Sequence, residues 1–400
     1  MRAVVAVAVL ASTFVIVPAA EAALPDVGFS VATSAHGEAA GTVDVTIELS
    51  TTGLPLTQAL VFDVVDLATG TAGASDYSFT QPVPSLQFDV GDNDGATRTV
   101  QVTISQDSID EPGETVDLEL QAVSGGDVDP AAVGHELTIS DDDAPPTISI
   151  GNATAANEGT NASFAVSLNH PSSQPISVAW TRANGTTTDG DFTGGAFGTV
   201  NFAALEVSKT ISVPLNNDNV DEPGANETFT VALGAITGSA SLGTSIGTGS
   251  IIDQTPTPSI AINDAAATEG SPVQFTVTLS RPSQASVTVG WTTNNGTAVA
   301  PGDYTADSDT VIFPPLSTSQ PISVSTIADG VFEGGSENFT VTLSGPTNAT
   351  ISDSTGLGTI NETGGAPSVS ISDALNVDEG TSAVFNVTLS GQSANVITVP

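Results

Sequence analysis

Cysteine is absent from all 400 residues, which excludes disulfides, thiolate metal sites and thiol chemistry together. An exported domain without disulfides must draw its stability from core size, from bound ligands, or from both. Basic side chains are nearly as scarce. Five Lys and Arg stand against 45 Asp and Glu, for a formal charge of −40. Nucleic acid and anionic lipid are recognised through basic patches, so neither is expected as a partner. Charged residues make up only 12% of the chain, so the imbalance reflects missing Lys and Arg, and composition alone does not demand a cation. Histidine occurs three times, at His36, His135 and His170, in no spacing that suits a Ser/His/Asp set or a metal motif. P-loop, G-x-S-x-G and H-E-x-x-H sequences are lacking as well. Paired carboxylates can serve a glycosidase, but these acids lie on repeating turns with no aromatic cleft beside them. The expectation is a protein that is not an enzyme.

Long apolar runs are missing beyond the N-terminus. There, Arg2 precedes a mostly apolar stretch from Ala3 to Val17, followed by Pro18 and "AAEA". This order predicts a signal peptide over residues 1–22, cleaved after Ala22 at an A-x-A site. The run is shorter than the ~20 residues a bilayer span requires. The mature chain is therefore expected to be secreted or at the cell surface, with no membrane span after cleavage.

What the chain does have is internal repetition. "EG" occurs at Glu158–Gly159, Glu269–Gly270 and Glu379–Gly380, and the two tryptophans, Trp180 and Trp291, lie 111 residues apart. Phe202 and Phe313 keep the same step, as do Asp107, Asp218 and Asp329, and Glu111, Glu222 and Glu333. Self-similarity at a fixed period marks a repeat architecture. It divides the chain into modules at 27–143, 146–253 and 258–361 and a partial fourth at 368–400, joined by "APP", "QTPTP" and "TGGAP". Proline favours extended, semi-rigid connections, so the modules are expected to stack end to end.

Within the second repeat, apolar residues alternate with polar ones in seven short segments. They are marked by Ile148 and Ile150; Phe164, Val166 and Leu168; Ile176, Val178 and Trp180; Val200 and Phe202; Ile211, Val213 and Leu215; Phe229, Val231 and Leu233; and Ile251 and Ile252. A period of two, turns rich in Gly, Asn and Pro, and no helical periodicity predict an all-β fold. The expected architecture is a tandem of seven-stranded antiparallel immunoglobulin-like sandwiches, with Phe and Trp inside.

The "EG" after the first strand, the "GTA…G.DY" segment from Gly296 to Tyr304, and the acidic turn ahead of "ENFTVTLS" together resemble Calx-beta repeats. The resemblance covers nearly the whole chain beyond the leader. It implies calcium sites at one end of each sandwich. Their ligands would be the "EG" Glu, an acid ahead of "GTA", the Asp and Glu of the acidic turn, and acids closing the last strand. Carried over, this gives Glu38, Asp107, Glu111, Asp141, Asp142 and Asp143 in the first module, whose order is "GE" at Gly37–Glu38. The second offers Glu158, Asp218, Glu222 and Asp253, and the third Glu269, Asp329 and Glu333. Asn184 and Asn295 stand where the resemblance puts an acid, and the third module closes on Asn361 and Glu362. Calcium takes six to eight oxygen ligands and its affinity follows ligand charge. The first module is thus the strongest candidate and the third the weakest. The implied function is a calcium-binding spacer or adhesive module of a surface or matrix protein, with protein or glycan surfaces as partners. The competing reading is a calcium-independent appendage of a larger enzyme or adhesin whose active part lies beyond Pro400.

Overall fold

In the computed structural model, the described residues are 24–80, 85–224 and 226–400. The expected signal peptide at 1–22 lies outside them. Strands dominate. The only helical pieces among the described residues are two single 3-10 turns, Glu38–Ala40 and Asp189–Asp191. No helix among these residues is long and apolar enough to cross a membrane.

The second module shows why the sequence folds this way. In Asn161–Leu168 every second residue is buried, so Ala162, Phe164, Val166 and Leu168 share one face. Glu227–Thr237 does the same with Phe229, Val231 and Leu233. These faces meet because two sheets lie back to back. One sheet runs Ser208–Pro214, Asn161–Leu168, Thr147–Ile150, Ser241–Leu242; the other runs Ala156–Asn157, Ile246–Ile252, Glu227–Thr237, Ile176–Asn184, Phe197–Phe202. Phe164 and Phe229 cross between the sheets edge to face at 5.8 Å. Gly249 makes room for them, since a Cβ there would sit 2.6 Å from Phe229 Cζ. Gly358 repeats the arrangement against Phe339 in the third module. The three modules build three separate cores, each formed from its own repeat.

Two features depart from a seven-stranded antiparallel plan. The first strand of each module is cut in two, and the pieces join opposite sheets. Thr147–Ile150 pairs with Asn161–Leu168, whereas Ala156–Asn157 runs parallel to Ile246–Ile252. The intervening "GNATA" holds the break, and Gly151 and Ala153 still donate backbone hydrogen bonds, to Ala165 and Thr248. Counting all pieces, the first module has two five-stranded sheets, and the second and third have one four-stranded and one five-stranded sheet each. The parallel piece matters for the site. Pairing Thr33–Gly37 with Glu136–Ser140 sets Gly37 opposite Ser140, so Glu38 emerges beside Asp141. Residues 368–400 contribute one antiparallel pair, Val369–Ile371 with Val387–Leu389, whose side chains are exposed, and the short strand Gln392–Ser393, which runs parallel to Val331–Phe332.

Candidate cation site

The acidic turn between Thr97–Ile104 and Glu114–Ser124 is anchored by its own first residue. Asp107 Oδ1 accepts from the Ile109 amide at 2.8 Å, a short side-chain turn favoured by Asp. Asp218 and Asp329 repeat this toward Val220 and Val331 at 2.9 and 2.8 Å. The turn is also tied to the end of the last strand. Asp141 Oδ2 accepts from the Glu111 amide at 3.0 Å, Asp253 from Glu222 at 2.9 Å, and Glu362 from Glu333 at 3.0 Å. Glu362 thus does in the third module what an aspartate does in the others. Three chain segments distant in sequence converge at one pole of each sandwich.

In the first module Glu38, Asp141 and Asp143 bring carboxylate oxygens within 4.8 Å of one another, and Asp76, Glu111 and Glu114 form a second such group. The second module gathers Asp191, Asp218 and Glu222, and the third Asp303, Glu333 and Glu337. Of the residues expected from sequence, Asp107, Asp142, Glu158, Asp253, Glu269 and Asp329 stand outside these groups. Asp142 is exposed and accepts from Gln106. Glu158 is buried and receives the Gln254 amide at 3.3 Å. Glu269 accepts from the Asp329 amide and from Thr363. Asn184 and Asn295 are taken up locally: Asn184 is held between Arg182 and Asp189, and Asn295 receives the Tyr304 hydroxyl at 2.5 Å.

Six acids were missed: Asp76, Glu114, Asp191, Glu227, Asp303 and Glu337. Their signal was present. One Asp precedes the aromatic residue in "SDY", "GDF" and "GDY", and one Glu opens the long strand in "ETVDL", "ETFTV" and "ENFTV". They give the third module a group of the same size as the second, although it matched the fewest expected acids.

The electrostatics of these poles are unfavourable without a partner. Burial, followed by the charges of Asp141, Asp107, Glu111 and Asp143, pushes the Glu38 carboxyl up to about 7. Burial and then Asp76 raise Glu114 to about 7. Asp76 itself moves down: burial disfavours its charge, but hydrogen bonds from Ser75, the Gly73 amide and Glu114 outweigh that. Burial together with Glu227, Asp191, Glu158 and Asp218 lifts Glu222 to about 8. Glu227 and Glu337 are raised to about 7, by burial first and then by Asp191 and Asp303 respectively. Several of these oxygens have no donor at all. Glu38 Oε2, Asp143 Oδ2, Glu227 Oε2 and Glu337 Oε2 are buried without a hydrogen-bond partner. An unpaired buried carboxylate is expensive, and a hard cation that takes only oxygen ligands removes the cost.

As a sequence family, the Calx-beta domain matches residues 21–143, 141–255 and 257–366. The chain belongs to the Calx-beta family. Among curated proteins none matches it. Among solved structures, CBD12 from CALX1.2 is 19% identical over 52% of this chain and 83% of its own, with a TM-score of 0.26. The calcium binding domain CBD12 of CALX1.1 is 18% identical over 50% and 79%, at a TM-score of 0.25. The I9–I11 tandem from titin is 11% identical over 85% and 100%, at 0.18. The Calx-beta modules here are consecutive and fill most of the chain.

Proposed function

We propose that this tandem Calx-beta chain is an exported calcium-binding protein whose modules act as spacers or adhesive units of a surface or matrix assembly, without catalysis. The observation that carries the calcium reading is the set of buried, partnerless carboxylate oxygens at the same pole of each module. In the first module, Glu38, Asp141 and Asp143 would hold one ion and Asp76, Glu111 and Glu114 a second, with Glu111 close enough for its charge to act on Glu38. Asp191, Asp218 and Glu222 would hold an ion in the second module, assisted by Glu227. Asp303, Glu333 and Glu337 would do so in the third. Export and the spacer role are supported by the leader-like N-terminus and the serial order of the modules. The matched domain CBD12 of CALX1.1 is itself described as calcium binding.

Titration of the full chain with calcium, followed by calorimetry, tests the reading. Binding with dissociation constants of about 10⁻⁴ to 10⁻³ M is expected for extracellular modules of this kind. Replacing Asp141, Asp142 and Asp143 by Asn should remove the first module's ion at Glu38, Asp141 and Asp143 and leave the one at Asp76, Glu111 and Glu114, because an amide keeps an oxygen but loses the charge. A chain that takes up no calcium would leave the appendage reading in its place.

A further inference from the structure

The acidic turns of the first two modules each carry a second aspartate, Asp110 and Asp221, three residues after the first, that joins none of the carboxylate groups. Asp110 is 8% exposed and Asp221 3%, and both are covered where the next module meets the turn. Asp110 Oδ2 accepts from the Ser172 hydroxyl at 2.9 Å, and Asp221 Oδ2 accepts from Ser283 at 2.8 Å, in both cases 62 residues downstream in the next module. The two serines are 2% exposed. The backbones are paired as well. Asp110 donates to the Pro171 carbonyl and accepts from the Ser173 amide at 3.2 and 3.0 Å; Asp221 donates to Pro282 and accepts from Gln284 at 3.0 and 2.9 Å. Each serine is fixed from behind by its own module, where its carbonyl accepts from Leu205 or Leu316 at 2.8 Å.

We propose that this buried Asp–Ser contact is a recurring clamp that fixes the orientation of adjacent modules, with the acidic turn of one as the acceptor face and the Pro-Ser turn of the next as the donor face. Two positions that lack one partner support the assignment. The first module, which has no acidic turn packed on this position among the described residues, has the core residue Leu56 where the others have serine, four residues before the strands that begin at Leu60, Ile176 and Val287. At the third joint, Phe332 replaces the aspartate and pairs through its backbone alone. It lies opposite Ser393, whose hydroxyl donates to the Phe332 carbonyl at 3.2 Å. Backbone pairing therefore sets the register at all three joints, and the carboxylate adds a buried side-chain lock at the first two. The clamp needs an acceptor oxygen and not a cation, which separates it from the neighbouring calcium site.

The absence of cysteine makes the test direct, because introduced thiols are the only labelling sites. Spin-label pairs on exposed strand positions of the full chain, Thr99→Cys with Ser212→Cys and Ser212→Cys with Thr276→Cys, report the distance across each joint. The unaltered joints should give narrow distributions in calcium and in chelator alike. Ser172→Ala with Ser283→Ala leaves a buried carboxylate without its donor and should raise the population outside the main peak about tenfold, and Asp110→Ala with Asp221→Ala should do the same. Asp110→Asn with Asp221→Asn keeps the acceptor oxygen and should stay narrow, which also shows that the altered chains still fold. Unchanged widths in the serine variants would overturn the clamp. So would broadening in the Asn variants confined to calcium, because the aspartates would then be acting through the ion.

Discussion

Glu38 is the residue at which the charge problem of the first module is sharpest. It is buried, one oxygen has no partner, and four acids bear on it. Glu38→Gln should therefore pull affinity and stability in opposite directions. Calcium affinity should fall about tenfold, equivalent to about 1.4 kcal/mol, while the melting midpoint in chelator rises, because a buried charge among like charges is gone. Calorimetry with and without calcium reads both; a variant that melts lower in chelator would show that the carboxyl is structural. Titration gives a second expectation. Glu38, Glu114, Glu222, Glu227 and Glu337 have folded values of about 7 to 8 against an ordinary 4.5. Between those limits the folded chain holds more protons than the unfolded one, so stability falls as pH rises. In chelator the midpoint should drop from pH 5 to pH 8. In saturating calcium, which binds the ionised groups, the fall should be largely removed, and calcium affinity should itself increase with pH. A flat profile in chelator would count against crowded, ionisable poles.

Strands carry these residues to the pole, and the strand Glu227–Thr237 shows how. Its apolar face, led by Phe229, is locked between Phe164 and Phe192, which fixes Glu227 two positions earlier at the rim. Phe229→Ala should cost the second module about 3–5 kcal/mol and reduce calcium uptake there, with the first and third modules unaffected because their cores are separate. Domain-resolved calorimetry would check this; an equal loss in all modules would contradict independent cores. The same strand shows what sequence could and could not convey. Alternation at Phe229, Val231 and Leu233 made the strand and its buried face plain, because side-chain direction has a period of two. Glu227 was passed over because an acid at a strand's first residue looks like ordinary solvated surface. Only its convergence with Asp191, an acid that precedes Phe192 in another segment, gives it meaning. Asp253 and Asp141 were read as ligands from their place at the end of the last strand; the structure shows both accepting the backbone amide of the turn, and only Asp141 also joins a carboxylate group. The split first strand escaped notice because Ala153 and Ala156 carry little periodic contrast. Asp110 and Asp221 had no visible role because their partners lie in the following repeat.

Over the whole molecule, a formal charge of −40 and, among the described residues, four carboxylate groups at module poles set like charges against one another at two length scales. Two kinds of cation effect should separate. Monovalent salt screens charges spaced beyond a Debye length of about 8 Å at 0.15 M, so it relieves the diffuse repulsion of the surface. It does little for oxygens packed within 4.8 Å, where only a coordinated ion neutralises the charge. Because the modules have independent cores, heating should give overlapping transitions and not a single two-state event. At free calcium about 100-fold above the dissociation constant, each bound ion adds about 2.7 kcal/mol to the folded state. In domains of roughly 100 residues, each kcal/mol moves the midpoint by about 4–8 °C. Every module transition should therefore rise by more than ~10 °C on passing from chelator to calcium. The first module, with two groups, should rise most, and sodium chloride at matched ionic strength should recover only a minor part of the shift. Scanning calorimetry of the full chain in chelator, in salt and in calcium distinguishes these contributions. Equal stabilisation by salt and by calcium would mean that the poles are merely acidic surface, and a rise confined to one transition would assign calcium to that module alone.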